Sequence, residues 1–108
     1  MNESQFNKLA EDTLVEIEDA VESSDVDIDY DNIGNILTLE FLNRSQIIIN
    51  KQAPLMQIWV AARSGGYHFS YDEIRDCWHL SSQADQELFA CLSRYCTEQA
   101  GETVLLER

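Results

Sequence analysis

Four aspartates alternate with apolar residues in segment 25–31, whose sequence is DVDIDYD. In a β-strand, successive side chains point to opposite faces of the sheet, so the aspartates would share one face. They are Asp25, Asp27, Asp29 and Asp31. Carboxylates on one face of a strand lie about 6.8 Å apart, and no Lys or Arg lies within the segment to offset their repulsion. Such a row is stable only in water, or beside a cation or a basic protein.

Residues 4–22 predict an amphipathic helix, which ends two residues before this segment. The apolar positions recur every three or four residues and fill one arc: Phe6, Leu9, Ala10, Thr13, Leu14, Ile17, Ala20 and Val21. The acidic positions fill the opposite arc: Glu11, Asp12, Glu16, Glu18, Asp19 and Glu22. Ser4 is the predicted N-cap. We expect the acidic arc and the aspartate strand to adjoin and to form one continuous acidic ridge.

The chemistry of such a ridge is that of hard oxygen ligands, which suit Fe, Mn, Mg and Ca. Carboxylates on an open surface leave part of the coordination shell to water, so binding would be weak and exchangeable. An EF-hand is excluded because its glycine and its terminal glutamate are absent. The alternative is an ordinary solvated face, which the density of acids without counter-charges disfavours.

Trp59 is the second candidate feature. In a predicted strand over 55–63, Ile58, Val60 and Ala62 suit the core. The outward positions would then be Gln57, Trp59, Ala61 and Arg63. An exposed Trp between polar residues is a candidate anchor for a protein partner, and Gln46, Ile48 and Asn50 could extend its face. The opposite register, with Trp59 in the core, is the alternative, since a slip of one residue inverts every assignment.

Other candidate ligands and nucleophiles are isolated. His68 lies between two aromatic residues and should point away from them, as an incidental surface residue or as a ligand for a borderline metal. Cys77, Cys91 and Cys96 are odd in number and lack CxxC spacing, so they predict neither disulfides nor a zinc site. No nucleophile–base pair and no phosphate-binding glycine loop can be identified. Nothing in the chain therefore indicates enzyme chemistry.

Charge is distributed unevenly along the 108 residues, whose formal net charge is -13. Eleven of the 20 acidic residues lie within residues 1–31, where Lys8 is the only base. Coulomb repulsion disfavours nucleic acid and anionic membranes as partners and favours metal cations and basic proteins. No apolar run approaches the roughly 20 residues that span a bilayer, and residues 1–4 do not resemble a signal peptide. We therefore expect a cytoplasmic protein.

The order of the elements predicts an α+β fold. After the first helix come short segments typical of strands, separated by turn residues, at 25–31, 36–41, 45–51, 55–63, 67–71 and 77–80. Residues 83–100 return to helical spacing and end at Gly101, as helix C-termini commonly do. We expect a single domain over residues 1–108: a two-layer α-β sandwich with two helices on one face of about six antiparallel strands.

Nearly the whole chain resembles the bacterial frataxin family, of the CyaY type. The most distinctive block is Ile47–Ala61, IIINKQAPLMQIWVA, whose Pro-x-x-Gln-x-Trp spacing is specific. Ser64–Phe69, SGGYHF, follows it. The acidic helix, the DVDIDYD segment and the ending Gln99–Glu102 are similar to the family as well.

The resemblance implies a frataxin-like sandwich and a non-enzymatic protein that binds iron, Fe²⁺ or Fe³⁺, weakly. Other divalent cations could occupy the same carboxylates. The implied metal ligands are Glu18, Asp19, Glu22, Asp25, Asp27, Asp29 and Asp31. The implied function is regulation of iron–sulfur cluster assembly, with iron donation as a further role, through docking on the cysteine desulfurase and the scaffold protein. The implied docking residues are Glu11, Glu18, Asp19, Glu22, Asn50, Gln57, Trp59 and Arg63.

Two other functional classes remain open beside this one. An acidic interaction module that mimics nucleic acid would bind a basic protein independently of metal and would not need Trp59. A ferroxidase or iron-storage enzyme would need a preorganised two-metal site with Glu-x-x-His spacing, which the chain lacks. We expect a monomer, which iron could assemble into oligomers.

Overall fold

The computed structural model describes all 108 residues. It contains two helices and seven strands. In chain order they are α1 (Glu3–Ser23), β1 (Ile28–Ile33), β2 (Ile36–Phe41), β3 (Gln46–Gln52), β4 (Gln57–Ala62), β5 (Gly65–Asp72), β6 (Cys77–Leu80), β7 (Gln83–Glu87) and α2 (Leu88–Ala100). The strands form one antiparallel sheet in sequence order from β1 to β7, so the predicted α+β sandwich is confirmed.

Both helices cover the same face of the sheet, and the core lies between these two layers. Alternate residues of the central strands, such as Leu37 and Leu39 in β2 and Ile47 and Ile49 in β3, are fully buried there. The other residues of these strands form an open face without a helix. A buried polar contact links α1 to β6 across the core: the Trp78 indole N–H donates to Thr13 Oγ1 over 3.0 Å. This bond satisfies an indole N–H that would be costly to bury without a partner.

The predicted second helix begins too early, because residues 83–87 form the seventh strand rather than the first turns of a helix. These residues, QADQE, have no apolar alternation and lie at the edge of the sheet, where little burial is needed. Glu87 then caps α2, since its carboxylate accepts from the backbone N–H groups of Phe89 and Ala90 at 2.9 and 3.2 Å. The predicted end is confirmed: Gly101 adopts φ 73°, which glycine tolerates without strain.

The first predicted strand also begins too early. Asp25 adopts a left-handed φ of 61°, which turns the chain between α1 and β1, and extended pairing begins only at Ile28. Consequently only Asp29 and Asp31 of the four aspartates lie in a strand. The predicted strands leave residues 32–35 for the turn after β1, and the structure has a turn there, but a shorter one. Gly34 and Asn35 alone connect β1 to β2, with φ of 60° and 62°.

Other boundaries also differ from the predictions, and β5 begins at Gly65 rather than at residue 67. The fourth strand begins at Gln57 rather than at residue 55, because Ala53–Leu55 forms one 3₁₀ turn and Met56 adopts a left-handed φ of 52°. The N-cap of α1 is Asn2 rather than Ser4. Asn2 Oδ1 accepts from the Gln5 N–H at 2.8 Å, and Gln5 Oε1 accepts from the Asn2 N–H at 2.9 Å. This reciprocal pair is a capping box.

Candidate metal and partner surfaces

The second half of α1 presents three carboxylates beside the edge strand β1. Ile17, Ala20 and Val21 bury the inner side of the helix, so the intervening acids project outward. We call Glu18, Asp19 and Glu22 the helix-side acids. None of them forms an ion pair, although Glu11, Asp12 and Glu16 on the same helix all do.

Two of the helix-side acids are hydrogen-bonded to β1. The Asn32 amide donates to Glu18 Oε2 over 3.0 Å, and the Tyr30 hydroxyl donates to Glu22 Oε1. Together with burial and the charges of neighbouring carboxylates, the bond to Glu22 raises the pKa of Tyr30 to about 12, and the bond is the largest cause. These contacts fix two carboxylates in position without neutralising them.

Asp25 and Asp27 lie in the loop between α1 and β1, and both are exposed. Ser24 organises this loop, because its hydroxyl donates to the Val21 carbonyl at 2.7 Å and accepts from the Val26 N–H at 3.4 Å. The loop aspartates therefore continue the surface of the helix-side acids at the C-terminal end of α1.

Asp29 and Asp31 lie on a different surface. They are exposed on the open face of the sheet, where Glu40 of β2 pairs directly with Asp29. We call Asp29, Asp31 and Glu40 the open-face acids. They line a hollow of about 370 Å³ together with Tyr30, Thr38 and Gln46. The prediction of one continuous ridge is therefore wrong in this respect: β1 divides the acids, because its residues alternate between the two faces.

The donor set suits a weakly held cation rather than a closed coordination site. Nowhere in the chain do three or more His, Cys, Asp or Glu side chains lie close enough together to hold a metal ion as they stand. The available ligands are oxygens of single or paired carboxylates, which are the hard donors that iron, manganese and magnesium accept. An ion would keep several water ligands, and its binding would be exchangeable.

Glu11 is held away from this surface. Its carboxylate forms an ion pair with Lys51 Nζ over 2.6 Å, and Lys51 is only partly exposed at the end of β3. Of the docking residues that the resemblance implies, Glu11 is thus the one on α1 that already has a cationic partner.

The predicted register of Trp59 is confirmed. Ile58 and Val60 are buried on the helix side, and Trp59 lies on the open face. Its ring stacks on His68 with the ring centroids 4.3 Å apart and the planes 10° apart. Its indole N–H donates to Gln57 Oε1 over 2.8 Å. Asn50 pairs with Trp59 from β3, so three of the predicted docking residues form one cluster.

Arg63 and the cysteines lie apart from this cluster. Arg63 is exposed beyond the end of β4, where its backbone N–H donates to the buried Gln99 side chain over 2.9 Å. Cys91 and Cys96 are buried in α2, Cys77 is half-buried in β6, and all three cysteines are free. Burial raises the pKa of Cys96 to about 12.

The sequence predictions did not identify Glu40, Tyr30 and Asn32 as site residues. Glu40 could have been found by extending the face of Asp29 across the predicted hairpin to the next strand. Tyr30 and Asn32 alternate with the aspartates and so face α1, where they contact Glu22 and Glu18.

Of the two helices, neither is long and apolar enough to cross a membrane.

Comparison with known proteins places the chain among relatives of this architecture. Residues 1–102 match the model of the Frataxin-like domain. The chain belongs to the frataxin family. A solved frataxin from Psychromonas ingrahamii superposes with a TM-score of 0.89 at 38% identity, and the match covers 100% of each chain.

Curated frataxin relatives match over nearly their whole length. The "Iron-sulfur cluster assembly protein CyaY" of Photobacterium profundum is 47% identical over 104 residues, which are 96% of each chain. The protein of the same name from Pseudomonas aeruginosa is 49% identical over 105 residues, which are 96% of this chain and 95% of the relative. The family predicted from the sequence is therefore confirmed.

Proposed function

We propose that this protein acts in iron–sulfur cluster assembly, as an iron-binding regulator that docks on a cysteine desulfurase and its scaffold protein. Two frataxin relatives, at 47% and 49% identity, carry the name of iron–sulfur cluster assembly proteins. The observation that carries the iron-binding part is the set of helix-side acids. They project from one helix beside β1 and have no basic partner in a chain of net charge -13.

Iron would occupy the helix-side acids and the loop aspartates in pairs, with water completing its coordination. The bonds from Asn32 and Tyr30 leave Glu18 and Glu22 one further oxygen each. Asp29 and Asp31 offer a second group of ligands on the open face. Weak binding by exposed carboxylates suits an ion that is passed on rather than stored.

The same helix surface would dock on a basic patch of the desulfurase, so that iron loading and docking are linked through shared charge. Trp59, Gln57 and Asn50 offer a neutral contact at a separate place, on the open face. The second candidate function is an acidic module that mimics nucleic acid and binds a basic protein without metal. It is consistent with the finding that no three His, Cys, Asp or Glu side chains lie close enough together to hold a metal ion.

The test is an anaerobic Fe²⁺ titration followed through backbone amide signals by NMR. We expect line broadening over residues 16–31, and a loss of the effect around Glu22 in the variant Glu18→Gln/Asp19→Asn/Glu22→Gln. The variant Glu11→Gln/Asp12→Asn/Glu16→Gln removes the same residue types from the same helix and should bind iron as the wild type does. Unchanged signals across residues 16–31 would contradict iron binding.

The role in assembly is tested by desulfurase and cluster-formation kinetics with and without the protein, at several iron concentrations. We expect the wild-type protein to change the rates of desulfuration and cluster formation in an iron-dependent manner. The variant Glu18→Gln/Asp19→Asn/Glu22→Gln should change these rates little. A rate change indifferent to iron would favour the metal-independent module.

A further inference from the structure

Strand β6 carries a thiol and an imidazole side by side, with three strands between it and β2. Trp78 is 2% exposed and its indole N–H donates to Thr13 across the core, which fixes the rotation of the strand. The residues on either side of Trp78, Cys77 and His79, therefore point to the opposite face of the sheet. Residues in this relation lie about 6.8 Å apart, and both are half-buried.

A hydrogen bond sets the tautomer of the His79 ring. His79 Nδ1 lies 2.8 Å from the carbonyl oxygen of Leu80. Because a carbonyl oxygen can only accept, Nδ1 carries the proton, and Nε2 keeps a free lone pair in the neutral ring. Histidines that bind metals commonly donate their other ring N–H to a backbone carbonyl or a carboxylate, which fixes the ring and raises the basicity of the ligating nitrogen. His79 therefore has the tautomer of an Nε2 ligand.

Cys77 differs from the other two cysteines in its access to solvent. Cys91 and Cys96 are fully buried in α2, whereas Cys77 is half-buried on the sheet and forms no disulfide. A cysteine ligates a metal as its thiolate, and an ion must reach the sulfur to form that bond. Cys77 is therefore the one thiol of the chain that an ion from solvent reaches.

Asp72 supplies charge at this place rather than a ligand. It pairs directly with Cys77 from β5. Its Oδ1 accepts from the backbone N–H groups of Ile74 and Arg75 at 2.9 and 3.1 Å, and its Oδ2 lies 3.6 Å from Arg75 Nε. The bond from the Arg75 N–H is the largest cause that lowers the pKa of Asp72, and the charge of protonated His79 is a smaller one. The carboxylate is thus committed to the turn and remains negative beside both candidate ligands.

Two donors, one soft and one borderline, define the kind of ion. Zinc takes three or four protein ligands, and no three His, Cys, Asp or Glu side chains converge anywhere in the chain. Monovalent copper is a soft ion that prefers thiolate, and it is stable with two ligands in a linear arrangement. A sulfur–metal–nitrogen bridge spans about 4.3 Å, from bonds of about 2.3 and 2.0 Å. Two side chains about 6.8 Å apart on a strand close that gap by leaning toward each other.

We propose that Cys77 and His79 form a binding site for Cu⁺, with the Cys77 thiolate and His79 Nε2 as its two ligands. The thiol proton passes to solvent when the metal binds, and the negative charge of Asp72 favours the cation. Iron is a harder ion that prefers carboxylate oxygens, so this site is separate from the proposed iron ligands. The proposal does not depend on iron binding by the helix-side acids.

The experiment titrates the reduced full chain with Cu⁺ under anaerobic conditions, in competition with the chromogenic chelator bicinchoninate. We expect one Cu⁺ per chain and shifts of the backbone amide NMR signals at residues 72 and 76–80. Cys77→Ser and His79→Asn should each weaken Cu⁺ binding at least about tenfold, because loss of even an outer-shell partner of a metal ligand costs about 10- to 100-fold. Circular dichroism checks that both variants fold, and Cys77→Ala provides a second substitution at the thiol.

Two control variants keep both ligands. His68→Asn removes the other histidine of the chain, and Glu18→Gln/Asp19→Asn/Glu22→Gln removes the helix-side acids. Both should bind Cu⁺ as the wild type does. The second control also separates the two proposals, because it should lose Fe²⁺ binding around Glu22 while it keeps Cu⁺ binding.

Four results would overturn the proposal. Unchanged Cu⁺ binding in Cys77→Ser would place the ion elsewhere, and unchanged binding in His79→Asn would leave the thiol without its second ligand. A loss in the helix-side variant as large as that in Cys77→Ser would assign the ion to α1. One Cu⁺ per two chains, with dimers in size-exclusion chromatography, would mean that the thiols of two copies share the ion.

Discussion

Two sets of three carboxylates on α1 have the same composition and opposite surroundings. Glu11, Asp12 and Glu16 each form an ion pair, with Lys51, Lys8 and Arg108 respectively. The helix-side acids Glu18, Asp19 and Glu22 form none, and the last turn of the helix carries no base. Negative charge at a helix C-terminus is unfavourable. The second set therefore remains uncompensated at a cost to folding.

The two sets differ in their ion-pair partners and not in their acid content. A paired carboxylate must first release its lysine or arginine before it can bind anything else. An unpaired one gains from any cation that arrives. Sequence periodicity places both sets on one helix face, and only the folded chain shows which set has its counter-ions.

The largest effect is expected when the two sets are neutralised and binding to the desulfurase is measured. Glu18→Gln/Asp19→Asn/Glu22→Gln should weaken binding by about 10- to 100-fold, since three charged contacts would be lost. Glu11→Gln/Asp12→Asn/Glu16→Gln should weaken it less than threefold. Isothermal titration calorimetry with the purified desulfurase provides the measurement. Equal losses in both variants would show that net charge alone determines docking.

The next largest effect on partner binding is expected at Trp59. Trp59 differs from both sets of acids because its side chain carries no charge. Its stack on His68 and its bond to Gln57 hold the ring in one orientation before any partner binds. Trp59→Ala should weaken binding to the desulfurase–scaffold complex about tenfold, within the range of interface anchors. Trp59→Phe, which keeps a ring beside His68, should recover part of the loss.

Salt separates these two kinds of contact. Raising the salt from 50 to 300 mM should reduce the loss caused by neutralising the helix-side acids, because exposed charges are screened. The loss caused by Trp59→Ala should stay constant. If the Trp59 effect fell with salt as steeply as the acid effect, Trp59 would act by positioning charges and not by direct contact.

Much of this arrangement could be predicted from the sequence. The periodicity of residues 4–22 gave the buried side of α1, and alternation in 55–63 gave the outward side of Trp59. Alternation failed at 25–31, because a left-handed Asp25 ends the extended chain where the pattern continues. It could not reveal the seventh strand, since an exposed edge strand needs no apolar face.

The partners of individual carboxylates could not be predicted either. Lys51 lies 40 positions from Glu11 along the chain, and Arg108 lies still farther from Glu16. Such pairs depend on how α1 and the C-terminal residues pack on the sheet. Local spacing placed all six acids on one face of the helix and could not separate the paired set from the unpaired one.

A smaller effect of opposite sign is expected on stability. Neutralising the helix-side acids should raise the melting temperature by a few degrees at low salt, because repulsion within the set and with the helix C-terminus is removed. Neutralising Glu11, Asp12 and Glu16 should lower it by a similar amount, because three ion pairs are lost. Thermal unfolding followed by circular dichroism measures both. A decrease in both variants would show that the hydrogen bonds from Asn32 to Glu18 and from Tyr30 to Glu22 stabilise the fold by more than the repulsion destabilises it.

The smallest effect lies at Tyr30, whose hydroxyl donates to one of the unpaired acids. Its pKa is raised from the ordinary value near 10 to about 12, chiefly by the bond to Glu22. A folded-state pKa above the unfolded value means that the bond contributes its full stability below pH 10 and loses it as the pH rises through 12. Tyr30→Phe should therefore be slightly less stable than the wild type at pH 8, and the difference should disappear above pH 12.

Absorbance at 295 nm, which follows tyrosine ionisation, provides a direct check. In the wild type, one tyrosine should titrate near pH 12, and Tyr30→Phe should lose that step. Glu22→Gln should move the step toward pH 10, because the carboxylate that accepts the hydrogen bond from the Tyr30 hydroxyl is gone. Glu16→Gln, which neutralises an acid that has an ion-pair partner, should leave the step in place. A Tyr30 step near pH 10 in the wild type would mean that Glu22 is free of β1 in solution, and the helix-side acids would then be less ordered than their contacts indicate.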